Sequence, residues 1–188
     1  MLDYLRQTQA KNPGLPLTLH PVALGPEEKT MTMHIPDGNA GAGSLSKSSA
    51  EWQEVAVPVK RLDDYAKEIG IDRIDVIKLD VEGFEAQVLQ GAMGIIGRTK
   101  PRVIILEENR PHRETGMAPA LRMLQEAGYD LFALPRQFLS VNLVPVAETR
   151  FAHDFVGISK TADETLYRAL GLQNHGPGRP GRSARTQS

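Results

Sequence analysis

The stretch Ile74 to Gly91, IDVIKLDVEGFEAQVLQG, changes its apolar period midway, and the rest of the chain has to be arranged around that change. Val76, Ile77, Leu79 and Val81 form a short apolar run with β-branched members, which suits a strand. Lys78, Asp80 and Glu82 fall at every second position, so an extended strand would point all three the same way. After Gly83 the apolar residues fall at Phe84, Val88, Leu89, Ala92 and Ile95, a helical stripe. Asp80 and Glu82 therefore stand where a strand turns into a helix. In open α/β sheets, ligands bind beyond the carboxyl ends of strands. If the strand stays extended, the two carboxylates attach roughly 6.6 Å apart, which leaves room for one hydroxyl group or one cation.

A bland reading competes with this one. An acidic residue just ahead of a helix is the ordinary capping arrangement, and Glu82 reads equally well as a cap. Asp80 needs a partner if it is ionised near the end of a buried strand. Lys78, on the same face, could be that partner.

Composition narrows the function classes. With 188 residues the chain can hold one ordinary domain with a real core. A net charge of -1 gives no global pull toward nucleic acid or an anionic membrane, so neither is expected as a partner. The absence of cysteine excludes disulfides, thiol catalysis and thiolate metal sites. No apolar run reaches membrane-spanning length, and the amino terminus lacks a charged-then-apolar signal, so cytoplasm is the expected location. The five histidines, His20, His34, His112, His153 and His175, show no metal-ligand spacing, and no metal is expected.

Along the chain, Met1 to Asn12 reads as a helix stopped by Asn12-Pro13-Gly14. Leu17 to Leu24 reads as a strand and Thr30 to Ile35 as another. Asp37 to Ser49, rich in Gly, Ser and Ala, reads as a loop; Gly41 to Ser44 lacks the strand-to-helix context of a phosphate cradle. Val55 to Val59 is expected as an edge strand because it contains Pro58. Leu62-Asp63-Asp64-Tyr65 starts a short helix, with Asp63 as its N-cap and Gly70 as its stop. Val103 to Leu106 is a continuous apolar run, expected to be buried on both faces, and it ends in Glu107-Glu108-Asn109. His112 follows as a loop histidine. Pro119 to Ala127 reads as an amphipathic helix stopped by Gly128. Asp130 to Leu134 and Asp154 to Lys160 read as strands, and Thr165 to Leu172 as a short helix. Residues 173–188 are Gly, Pro and Arg with almost nothing apolar and are expected to be a disordered tail. Gly178-Arg179-Pro180 within it reads as solvated chain rather than a minor-groove hook.

Strand, helix, strand, helix, strand from Ile74 to Leu134 implies a parallel, right-handed α/β unit. Asp80 and Glu107 would then be neighbours on one rim.

At this point the residues resemble a known family. Lys78-Leu79-Asp80-Val81-Glu82-Gly83-Phe84-Glu85, continued by Val88-Leu89-Gln90-Gly91-Ala92, is similar to the signature of the FkbM-type methyltransferases. His20 to Gly25, Asn39 to Leu45, Leu62-Asp63-Asp64 and Lys100-Pro101 resemble that family's flanking segments, in the right order from Met1 to Leu134. The resemblance implies a Rossmann-like class I methyltransferase fold with a mostly parallel sheet. It implies S-adenosylmethionine as methyl donor and a hydroxyl on a sugar or small metabolite as acceptor. It also implies catalytic roles for Asp80, Glu82 and Glu107: Asp80 as base or base-orienting residue, Glu82 as a ligand of the acceptor hydroxyl, Glu107 as a third contributor.

One departure limits the match. The family's first strand ends in an Asp-x-Gly-type turn that holds the cofactor, and its second strand ends in an acidic residue that binds the ribose. Neither has a counterpart in these residues, so no cofactor-binding residue is assigned. Residues 1–172 are expected to be an amino-terminally truncated part of such a domain. The alternative function is a non-catalytic fragment, inactive alone or completed by a partner chain.

Overall fold

A computed structural model of the chain describes residues 2–37, 43–45, 49, 51–108, 117–135, 143–146 and 152–172. His112, His175, Asn39, Gly41, Ala42 and the 173–188 segment lie outside the described residues. The chain divides into two compact units, one within residues 1–71 and 81–94, the other within 72–80 and 95–188.

The first unit opens with α1 (Leu2–Lys11), none of whose residues is buried. Its sheet has three strands: β1 (Ala23–Leu24), β2 (Lys29–Ile35) and β3 (Gln53–Lys60), in the order β1-β3-β2. β1 is two residues long, so the strand expected from Leu17 to Leu24 forms only at its end. Pro21 carries no N–H for a ladder, and Leu17 is left exposed. β3 is central, contrary to the edge position that Pro58 suggests. It pairs antiparallel with β2 from Gln53 to Val59 but meets β1 only at Val59 and Lys60. One side of Pro58 thus has no ladder partner, and the missing N–H costs nothing there.

The same unit holds α2 (Leu62–Glu68) and α3 (Glu85–Gln90). α2 ends in a Schellman turn, as Gly70 suggests: Ile71 N–H donates to the Ala66 carbonyl at 2.7 Å, Gly70 N–H to that of Lys67 at 3.3 Å, and Gly70 has φ +72°. Asp63 is not the N-cap of α2. Arg61 holds that position without a side-chain cap. Asp63 lies in the first turn and its Oδ2 accepts from the backbone N–H of Gly94, in the first turn of α4 (Met93–Thr99), at 3.2 Å. The carboxylate thus caps a helix remote in sequence rather than its own. The Phe84, Val88, Leu89, Ala92 and Ile95 stripe is buried as its spacing suggests. It is carried by two helices, α3 and α4, interrupted at Gly91 and Ala92.

The second unit contains a five-stranded sheet of β4 (Val76–Leu79), β5 (Val103–Glu107), β6 (Tyr129–Leu134), β7 (Val144–Pro145) and β8 (Asp154–Ser159), in the order β4-β5-β8-β6-β7. Only the β4–β5 pairing is parallel; β5–β8, β8–β6 and β6–β7 are antiparallel. The expectation of a mostly parallel sheet is therefore corrected: the sheets of both units are mixed. β4, β5 and β6 do run in one direction, as strand-helix-strand alternation requires. The last described strand, β8, inserts between β5 and β6 in the opposite sense.

Period two then sets the packing. Val156 and Ile158 of β8, with Phe132 of β6, face Tyr167 of α6 (Glu164–Ala169), and Val103 and Ile105 pack against this cluster. On the opposite face Gly157 lies against Leu124 of α5 (Pro119–Glu126) and Tyr129. Ile104 and Leu106 are buried, whereas Val103 and Ile105 are only partly so; the run is covered more completely on one face than on the other. No described helix is long and apolar enough to cross a membrane.

Candidate active site

In the second unit the parallel register pairs Leu79 with Leu106, so Asp80 and Glu107 follow directly on neighbouring strands at their carboxyl ends. Glu107 is in turn the cross-strand partner of Asp154, the first residue of β8. Lys78 pairs with Ile105, and Ile105 with Val156, which puts Lys78, Glu107 and Asp154 on one face of the sheet. One cation thus stands among three carboxylates at the end of this sheet where β4 and β5 finish.

Lys78 Nζ donates to Asp80 Oδ2 at 2.7 Å. This hydrogen bond first, and then the Asp80 charge, hold Lys78 protonated above the ordinary lysine range. The charges of Glu107 and Asp154 add to the effect and burial opposes it. The Lys78 and Asp80 side chains are 65% and 50% exposed, so the pair adds little to stability. Its consequence is positional, since it engages one oxygen of Asp80, Oδ2. Lys78 is the partner that the bland reading anticipates.

Glu82 belongs to the first unit. The extended geometry assumed for the Asp80–Glu82 spacing does not hold, because β4 stops at Leu79 and Glu82 has φ +51°. Glu82 is not a helix cap either; Phe84 is the N-cap residue of α3, without a side-chain cap. Gly83 follows at φ +93°, so two successive residues take left-handed backbone, which a glutamate does rarely. The turn is held by Glu85, which is 3% exposed. Its Oε1 accepts from the backbone N–H groups of Val81 at 3.3 Å and Gly83 at 3.2 Å. The carbonyl oxygen of Glu82 accepts from Ser44 Oγ at 3.4 Å, and Ser44 is 1% exposed.

Glu85 and Asp154 were not singled out from the sequence, and Ser44 figures there only as the end of the Gly41–Ser44 segment. Glu85 lies within the signature stretch and could have been found there as the acid that closes a turn onto preceding amides. Asp154 opens a strand whose place beside β5 only the sheet reveals.

Among the described residues, the turn that follows β4 does not fit S-adenosylmethionine as a cradle. Glycine-rich turns hold such cofactors through free backbone N–H groups. In the Asp80–Phe84 turn, the amides of Val81 and Gly83 are engaged by Glu85. No group of three or more described side chains is arranged to hold a metal ion.

Residues 4–131 match the model of the Methyltransferase FkbM domain. Among characterised proteins, Methyltransferase 1 of Beauveria bassiana is 38% identical over 84 residues, which is 42% of this chain and 32% of that protein. The 2-O-methyltransferase NoeI of Sinorhizobium fredii is 28% identical over 123 residues, covering 57% of this chain and 50% of that protein. Methyltransferase sdnD of Sordaria araneosa is 30% identical over 131 residues, 62% of this chain and 49% of that protein. The matched regions thus span half or less of these curated relatives. A crystal structure of a methyltransferase FkbM from Methylobacillus flagellatus KT superposes with a TM-score of 0.46 at 18% identity, over 83% of this chain and 33% of that one. With the family model covering more than half of its residues, the chain belongs to the FkbM methyltransferase family.

Proposed function

We propose that this chain carries the acceptor-handling part of an S-adenosylmethionine-dependent O-methyltransferase whose acceptor is a hydroxyl of a sugar or small metabolite. The observation that carries the reading is the end of the β4–β5 pair, where Lys78, Asp80, Glu107 and Asp154 gather. Family membership supports methyl transfer, and the name of one relative specifies a 2-O-methyltransferase.

A hydroxyl is a poor nucleophile until its proton has somewhere to go, and a positioned carboxylate supplies that place. Asp80 is assigned as the base or base-orienting residue, with Lys78 holding one of its oxygens. Glu82 is assigned as a hydrogen-bond acceptor for the sugar or metabolite hydroxyl, and Glu107 as a weaker third contact. The described residues are assigned to the acceptor and not to the cofactor.

A second reading is a chain inactive by itself or completed by a partner chain. The engagement of the Val81 and Gly83 amides by Glu85 favours it, because these two amides are then not open to a cofactor. The two readings separate in one experiment. The longest in-frame product of the gene is incubated with methyl-labelled S-adenosylmethionine and a panel of methyl glycosides and polyols. Label transferred to an acceptor hydroxyl supports the enzyme. Absence of transfer to every acceptor, from a folded protein, supports the second reading.

A further inference from the structure

Glu82 is one of only two described non-glycine residues with positive φ, and the interactions around it have a direction. Glu85 takes the N–H of the residue before Glu82 and the N–H of the residue after it on a single carboxylate oxygen, at 3.3 and 3.2 Å. Ser44 takes the intervening carbonyl at 3.4 Å. Ser44 is itself fixed, since its N–H and carbonyl exchange two backbone hydrogen bonds with His34, both at 2.9 Å. Glu85 and Ser44 are almost fully buried, at 3% and 1% exposure. A left-handed glutamate persists only where its surroundings over-determine it, and such sites gather where a side chain must be aimed. The Glu85 carboxylate is directed at the turn before α3, since the amides it accepts from precede the N-cap residue Phe84.

We propose that Glu85 is a positioning residue for Glu82, with Ser44 as its counterpart on the carbonyl side. Glu85 holds Glu82 and Gly83 in left-handed backbone through the Val81 and Gly83 amides, and so fixes where the Glu82 carboxylate is presented to the acceptor. The proposal rests on the reading of Glu82 as the acceptor's hydrogen-bond partner. It also explains why two glutamates three residues apart occur in one turn: the first is presented and the second is buried to hold it.

Three variants test this. Glu85→Gln keeps an acceptor oxygen of the same reach, Glu85→Met keeps the length and removes the oxygen, and Ser44→Ala removes the other hold. The first readout needs no substrate. In isotopically labelled protein, the one-bond Cα–Hα coupling of Glu82 separates positive from negative φ. The second is methyl transfer by the longest in-frame product, with kcat and KM resolved for acceptor and cofactor. Glu85→Gln is expected to keep the coupling and to stay within about threefold of wild-type turnover, because the oxygen is conserved. Glu85→Met is expected to move the coupling to its ordinary negative-φ value and to lower acceptor kcat/KM by about tenfold to a hundredfold, the scale of an ångström-sized misplacement. The cofactor KM should not move. If Glu85→Met is unfolded by circular dichroism, Ser44→Ala decides: loss of a few-fold in acceptor kcat/KM supports the clamp, and unchanged kinetics overturn it. An unchanged Glu82 coupling in folded Glu85→Met also overturns it. If wild type transfers no methyl group, the functional reading fails, and the coupling alone still decides whether Glu85 holds Glu82.

Discussion

Gly91 lies so close to Gly25 that a Cβ on Gly91 would overlap the Gly25 carbonyl oxygen and come within 2.9 Å of its carbonyl carbon. The obstacle is backbone, so no side-chain rotation relieves it. Gly91 also presents its own carbonyl to the N–H of Asp63 at 2.9 Å, which ties the interruption between α3 and α4 to α2. The glycine of the Leu-Gln-Gly-Ala continuation is therefore required by packing. Gly91→Ala should destabilise the chain by about 3 kcal/mol, the upper range for overpacking. Gly97, with nothing within 4 Å of its Cβ position, is the control. Gly97→Ala should stabilise by about 0.5–1 kcal/mol. Urea titrations of both variants check this pair.

Asp63 and Asp64 look equivalent in sequence and are not equivalent in structure. Asp63 Oδ2 receives the Gly94 N–H at 3.2 Å and an Arg61 guanidinium N–H at 3.2 Å, and its side chain is 15% exposed. Asp64 is 64% exposed. Asp63→Ala should cost about 1–2 kcal/mol, the value of a lost helix cap, and Asp64→Ala no more than about 0.5 kcal/mol. Equal losses in thermal or chemical unfolding would contradict the remote-cap assignment.

Tyr129 gives a pH signature. Its hydroxyl is buried and donates to the Pro101 carbonyl at 2.9 Å, and burial pushes its pKa up to about 12. A group whose folded pKa is raised stabilises fully below its unfolded pKa, about 10 for tyrosine, and loses that contribution as pH rises through the folded value. Wild type should therefore lose stability between about pH 10 and 12. Tyr129→Phe should cost about 1 kcal/mol at neutral pH through the lost hydrogen bond, and should fall less steeply above pH ~10. Tyr167, whose pKa is also raised, chiefly by burial, titrates in both proteins, so the difference between the two curves isolates Tyr129. Parallel curves across that range would contradict the assignment.

What could be read in advance was local. The switch from period two to a helical stripe at Gly83, the Gly70 and Gly128 stops and the apolar face of α5 are set by neighbours within a few residues, and the chain shows them there. Pro58 was misleading because its tolerance depends on β1 being too short to reach it, a long-range fact. The role of Asp63 was misplaced because its partner, Gly94, is 31 residues away. The order of the five-stranded sheet was hidden because β8 follows β6 in sequence yet separates two strands that alternation alone would place side by side. At the candidate site, Lys78 and Asp80 were legible as a pair. The left-handed turn at Glu82 and its Glu85 anchor were not, since the signature reads equally as an extended strand running into a cap.

The cofactor yields its own prediction. Residues 1–188 offer no Asp-x-Gly sequence, and the Val81 and Gly83 amides of the Asp80–Phe84 turn are already used by Glu85. Calorimetric titration of this chain with S-adenosylmethionine should therefore show no binding in the micromolar range. Micromolar affinity would mean that other residues form a cofactor site.

The central claim is that the acidic groups of the signature handle an acceptor hydroxyl, and the most direct measurement is acceptor-dependent methyl transfer by charge-removing variants. In the longest in-frame product of the gene, Asp80→Asn should lower kcat by about a hundredfold or more, the scale of a lost general base. Glu82→Gln should lower acceptor kcat/KM by about tenfold, and Glu107→Gln by less. Asp63→Asn, which keeps an oxygen for the Gly94 amide, should stay near wild type. Near-normal rates in both Asp80→Asn and Glu82→Gln would contradict the account and leave Asp80 as the partner of Lys78 and Glu82 as a turn residue.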